Sequence, residues 1–137
     1  MNDQKSILNI ENKAKLTPEE IIGKLFYFHS QAHFLHLQTK SFAQHKALDE
    51  LYKELVELKD EISEQLLGYT NSRFKNLPGY PFKPYTENAP IELCNEIIEF
   101  AQQFIDYAVI NKYQDLGNLG QDLSGLAAGI KYLLSLK

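Results

Sequence analysis

Cysteine is nearly missing from this chain of 137 residues: Cys94 stands alone. No intrachain disulfide can form, and a reducing compartment suits such a chain. Long apolar runs are missing too. No window approaches the roughly 18 apolar residues that a membrane-spanning helix needs, and no charged-then-apolar leader opens the chain. The expectation is a soluble, cytoplasmic protein that is not exported and engages no membrane. Nor is there a glycine-rich phosphate loop, an alternating β pattern or an internal repeat of about 20–50 residues. Positive charge is in deficit. The formal net charge is −4, which argues against nucleic acid as a partner for the body of the protein. Cys94 lies on an apolar helical stripe, where a thiol is ordinarily structural, so nucleophilic catalysis is not expected.

What remains is helical. The hydrophobic fraction of 44% supports a core of fair size, and the length suits one domain. Residues 1–16 are polar and of mixed charge and read as a flexible arm; residues 17–137 read as the folded body. "TPEE" opens the first predicted helix: Thr17 is a good N-cap, Pro18 suits the first turn and Glu20 completes a capping box. Apolar residues then recur at Ile21, Leu25, Phe28, Ala32 and Leu35, at helical spacing, to about residue 38. "TKS" breaks the pattern, with Thr39 or Ser41 able to cap a second helix. That helix runs from Phe42 to Leu67 on a stripe of Leu48, Leu51, Leu55, Leu58, Ile62 and Leu66, with Gly68 as its stop.

Residues 69–89 are rich in proline and aromatics and read as an irregular crossover. A third helix is predicted over 90–112, with Asn88 as its cap. A fourth is predicted over 115–136, where four glycines permit close approach or a break. The fold class is therefore all-α: a ferritin-like four-helix bundle with a long crossover between its second and third helices.

All four histidines lie between residues 29 and 45. At about 100° per residue, His29, His33 and His36 share an arc of about 60° beside the apolar stripe. On the second helix His45, Asp49, Tyr52, Val56, Asp60 and Glu64 share a face distinct from the leucines. Imidazoles and carboxylates are the ligand set for iron, zinc or manganese. His36 and His45 flank a tight turn and can approach each other. Asp60 and Glu64 are one turn apart, so their carboxylates can converge. But fifteen residues separate His45 from Asp60, about 22 Å of helix. One ion can take both only if a second copy packs antiparallel across a two-fold axis, which makes two equivalent sites per dimer. Read blandly, the acid pair is a solvated face and His29 a packing or interface residue.

The stretch "HKALDELYKELVELKDEISEQL" (45–66) resembles the second helix of the Dps family of small ferritins. That family's pattern places a histidine, D-E-L-Y four residues on, an aspartate at plus fifteen and a glutamate at plus nineteen. Here those places hold His45, Asp49-Glu50-Leu51-Tyr52, Asp60 and Glu64. "HLQT" (36–39) is similar to the family's H-W-N-V, with Leu37 replacing tryptophan, and "IKYLLSL" (130–136) is similar to its closing helix. "HLQTKSFAQHKAL" also resembles Dps-related small proteins encoded by bacteriophages of the Bacteroidetes.

The resemblance implies oxidation of ferrous iron, commonly by hydrogen peroxide, at sites between subunits, and mineral storage in a shell of up to twelve subunits. It implies His36 and His45 as ligands from one subunit, with Asp49, Asp60 and Glu64 around the site. His33, twelve before His45 as the family's spacing has it, is a spare ligand; the match at "HLQT" favours His36 and a shortened turn. The crossover "SRFKNLPGYPFKPY" departs from the short helix the family carries there. The rival expectation is a non-enzymatic structural or cargo protein, of a virion for instance, whose site is vestigial or holds zinc.

Overall fold

A computed structural model describes residues 16–136. The expected arm, Leu16 apart, lies outside the described residues. The chain forms four helices in order: α1 (Pro18–Gln38), α2 (Phe42–Thr70), α3 (Ala89–Asn111) and α4 (Gln114–Leu134). No strand occurs among the described residues. They form the four-helix bundle that the periodicity predicted.

Each helix starts for a local reason. The Thr17 side chain accepts from the Glu20 N–H at 3.1 Å while the Glu20 carboxylate accepts from the Thr17 N–H at 3.0 Å, a complete capping box. Ser41 caps α2 by accepting from the Gln44 N–H at 3.2 Å. Asn88 precedes α3 but makes no side-chain cap bond. Gly68 does not end α2. Its exposed position tolerates a glycine, and the helix continues to Thr70, where Asn71 turns left-handed at φ 51° and returns its N–H to the Leu67 carbonyl.

Short turns make α1–α2 and α3–α4 antiparallel pairs. The pairs stack with α2 against α4 and α1 against α3, the latter the thinnest seam. Phe28 meets Phe100 edge-on at 5.3 Å across it. The predicted stripes of α1 and α2 enter the core, with Leu58 only half-buried, and α3 and α4 complete it: Ile21, Leu25, Phe28, Leu48, Leu51, Ile62, Leu66, Cys94, Ile97, Phe104, Leu116 and Leu123 are fully buried. Of the four glycines in α4, one carries a close approach. A Cβ on Gly120 would sit 2.7 Å from Cγ1 of Ile105 and 3.1 Å from Cδ2 of Phe104, whereas Gly125 and Gly129 face open space.

Because α2 and α3 point the same way, their connection must return the length of the bundle. Residues 71–88 do this as an extended strap along α1, without a helix inside it. The strap begins tight: a Cβ on Gly23 would lie 2.6 Å from the Pro78 carbonyl oxygen. It is then held by two side-chain amides. Gln31, only 2% exposed, donates to the Lys83 carbonyl at 3.2 Å and accepts from the Lys83 N–H at 2.7 Å. Gln44 accepts from the hydroxyls of Tyr85 and Thr39, each at 2.7 Å, and donates to the Glu87 carbonyl at 3.2 Å. Lys24 adds an ion pair to Glu96 at 3.2 Å and lies 4.2 Å from the Tyr80 ring centre. The strap thereby fixes the α1–α3 seam and leaves the outer face of α1–α2 uncovered.

Candidate metal centre

The three-residue turn 39–41 brings the end of α1 against the start of α2. It thereby places His36 against His45. Their rings stack with centroids 3.9 Å apart and planes 22° from parallel. Each ring is fixed by the other's backbone. Nδ1–H of His36 donates to the His45 carbonyl at 3.0 Å, and Nδ1–H of His45 donates to the His36 carbonyl at 3.2 Å. A carbonyl can only accept, so both Nδ1 atoms carry the proton and both Nε2 atoms keep a lone pair in the neutral ring. Spending the second nitrogen in this way sets the orientation and tautomer a cation needs, but rings stacked at 3.9 Å must part before both Nε2 atoms can reach one ion. His36 is buried and His45 half-buried, so the pair sits at the edge of the fold.

The other two histidines continue the row along α1. His33 lies 6.0 Å from His36, and His29 lies 6.3 Å from His33, centroid to centroid. Tyr52 of α2 touches three of the four rings. It stacks on His33 at 4.3 Å and 18°, and stands 5.2 Å from His36 and 6.2 Å from His29. Burial, then the charges of Lys59 and His33, holds His29 below the ordinary histidine pKa, favouring its neutral form.

The carboxylates are arranged differently. Asp49 is one turn beyond His45 and is bonded to Lys53 at 2.9 Å. The Lys53 hydrogen bond holds its carboxyl below the usual range, with lesser help from the charges of Lys53, His36 and Lys46. Asp60 and Glu64 are exposed at the far half of α2. The structure thus brings together His33, His36 and His45, sets Asp49 nearby, and leaves Asp60 and Glu64 apart. Among the described residues, no group of three or more histidine, cysteine, aspartate or glutamate side chains converges to hold a metal ion within one chain.

Large apolar side chains surround these groups on the same outer side of α1–α2. Phe26, Leu37, Phe42 and Val56 are exposed, Phe42 by 76%. Along α2 the charges are uneven: Lys46 and Lys53 are mixed with Asp49, Glu50 and Glu54 in its first half, while Glu57, Asp60, Glu61 and Glu64 outnumber Lys59 in its second. Sequence reasoning missed Gln31 and Gln44 as the fasteners of the strap. The signal for Gln31 was a polar residue inside an apolar stripe, which demands buried partners.

A model described as a family of unknown function (DUF5856) matches residues 36–134. That span begins at His36 and takes in His45, Asp49, Asp60 and Glu64, but not His29 or His33. An uncharacterized 14.6 kDa protein of Enterobacteria phage T4, from the mobD-ri intergenic region, is 29% identical over 123 residues, covering 87% of this chain and 88% of its own length. No solved structure matches the chain. No helix among the described residues is long and apolar enough to cross a membrane.

Proposed function

From a chain that belongs to the family of unknown function DUF5856, and whose chemistry must be read from its own side chains, we propose a Dps-like iron protein that oxidises ferrous iron at sites shared between two copies. One observation carries the reading. His36 and His45 are locked by reciprocal Nδ1–H bonds with both Nε2 lone pairs kept free, although among the described residues no group of three ligands converges within one chain. The missing ligands lie on the same helix, too far along it to help their own histidines. Antiparallel pairing of two α1–α2 faces across a two-fold axis supplies them. It sets the histidine-bearing half of each α2, mixed in charge, against the acidic half of its mate, and covers Phe26, Leu37 and Val56.

In that arrangement Asp60 and Glu64 of one copy offer hard oxygen donors to ferrous iron, and His36 and His45 of the other, once their stacked rings part, complete a loose coordination shell. Asp49 orients a ligand or takes part of a second ion's charge, in exchange for Lys53. Iron is the substrate. Hydrogen peroxide, the oxidant the Dps resemblance suggests, takes one electron from each of two ferrous ions and leaves as two waters with two added protons. Ferric product would be stored if dimers assemble into a closed shell. Zinc or manganese would suit the same donors. The protein would work in the cytoplasm of a bacterium or an infected host, without nucleic acid.

The test is the initial rate of ferrous oxidation by peroxide, followed by ultraviolet absorbance, with light scattering on the same sample. The expected results are a mass of at least twice 15.8 kDa and a rate well above buffer. Asp60→Ala with Glu64→Ala should return that rate to background. A second reading is favoured by the phage relative and by the Asp49–Lys53 pair, which already occupies one candidate ligand. It makes the chain a non-enzymatic structural or cargo protein of a virion on the same scaffold. A wild-type rate equal to buffer decides for it.

A further inference from the structure

We infer that the dimer axis itself carries a second metal site, an all-imidazole zinc site built from His29 and His33 of both copies. This rests on the two-fold pairing proposed above, though not on its iron chemistry. If His45 of one copy faces the Asp60–Glu64 turn of the other, the axis must cross α2 halfway between them, at Tyr52–Val56. The α1 rings standing beside Tyr52 are His33, stacked on it at 4.3 Å, His36, 5.2 Å away and already stacked on His45, and His29, 6.2 Å away. Symmetry therefore brings two His29–His33 pairs together at the axis. His29 and His33 adjoin the His36–His45 pair, His33 lying 6.0 Å from His36, and this site uses His33 in place of its spare role at the iron.

The donor set points to a borderline divalent cation. Four neutral imidazoles and no carboxylate suit zinc, or copper and nickel, rather than a hard oxygen-seeking ion. His29 and His33 are four residues apart on one helix, the spacing that lets two imidazoles chelate one ion. Their centroids are 6.3 Å apart. Two imidazoles on one tetrahedral zinc, with Zn–N of about 2.0–2.1 Å, have centroids about 5 Å apart. Closing the difference takes about 1 Å, a side-chain rotation rather than a backbone shift. Tyr52 steadies the His33 ring, and the nearby cation Lys59 is drawn aside over Phe26, 4.3 Å from its ring centre. One chain offers two ligands and a second copy offers the other two, so the site closes at four only in the dimer.

The experiment is equilibrium dialysis of the full chain against zinc chloride, compared with His29→Gln/His33→Gln. The expected difference is one zinc lost per two chains. A loss of one per chain, or no loss, overturns the shared site. Cobalt(II) bound to the unmutated chain gives a readout independent of how the variant folds. Visible bands of a tetrahedral nitrogen-ligated ion, bound at one per two chains and displaced by zinc, are expected; a purely octahedral spectrum overturns the site. Ferrous oxidation measured alongside separates the two readings. Oxidation without the zinc site sinks this inference alone, and the zinc site without oxidation sinks the iron chemistry alone. A chain that stays monomeric removes both.

Discussion

The two hairpins of this bundle are alike inside and unlike outside. Both α1–α2 and α3–α4 turn an apolar stripe inward, and both stripes are fully buried at their centres. Outward, α1–α2 carries all four histidines, an aromatic ring that touches three of them, and exposed Phe26, Leu37 and Phe42. The outward side of α3–α4 carries amides, acids and small residues such as Gln102, Asp122, Gly125 and Ala128, with Val109 and Tyr132 exposed singly among them and no histidine. The nucleophile of α3–α4 is Cys94, fully buried, its thiol pushed up to about 12 by desolvation against a smaller opposing pull from Lys131. That hairpin is scaffold. The other, on the proposed reading, is scaffold plus a ligand-bearing face.

If that division holds, stability should be most sensitive where the hairpins meet, and least sensitive on the histidine face. The largest effect is expected at Phe104, which is fully buried on α3. Phe104→Ala should cost about 3–5 kcal/mol, read as a drop in the urea midpoint, because a large side chain is lost and the cavity collapses only in part. A loss under about 1 kcal/mol would mean that the core around Phe104 is not closely packed.

A smaller effect separates two glycines of one helix. Gly120→Ala should destabilise by about 1–3 kcal/mol, since the new methyl must displace Ile105 and Phe104. Gly125→Ala, on the solvent side of α4 with nothing near it, should stabilise by up to about 1 kcal/mol through helix propensity. Thermal midpoints moving the same way for both would show that α4 does not lie as close to α3 as Gly120 indicates.

Much of this was legible beforehand, because helices advertise themselves through spacing. The stripe Ile21, Leu25, Phe28, Ala32, Leu35 and the box at Thr17 and Glu20 gave α1 its register and its start. The approach of His36 to His45 came from a short turn between two readable helices. The end of α2 was misread because Gly68 looks like a stop, while the stop is made by Asn71 in a left-handed conformation that sequence scarcely marks. The strap's attachment was illegible for another reason. Gln31 and Gln44 bond to backbone atoms 52 and 43 residues away, and no local pattern encodes a partner at that distance. The same limit applies to the candidate metal centre. Its histidines and acids could be placed on a face of each helix, but no pattern within one chain says what stands opposite that face.

The smallest effect sharpens the contrast at the level of protonation. Every side chain whose ordinary pKa falls between pH 5 and 8 is on the α1–α2 hairpin, since all four histidines lie there. His29 has its pKa lowered by burial first, then by Lys59 and His33. The unfolded chain therefore binds a proton at His29 more readily than the folded chain does, beginning at the unfolded value of about 6.5. Stability from this residue is fully present above that pH and is lost as pH falls below it. Carboxylates such as Asp49, whose pKa is lowered from 3.8, act further down the scale. Between pH 7.5 and 5.5 the urea midpoint should thus fall modestly, and His29→Gln should flatten part of that slope. Amide exchange over the same range should quicken in α1 and the start of α2 before α3 or α4 responds. If α3–α4 loosened first, or if His29→Gln left the slope unchanged, the acid sensitivity would belong to the scaffold, and the division between the two hairpins would be one of residue types without a difference in behaviour.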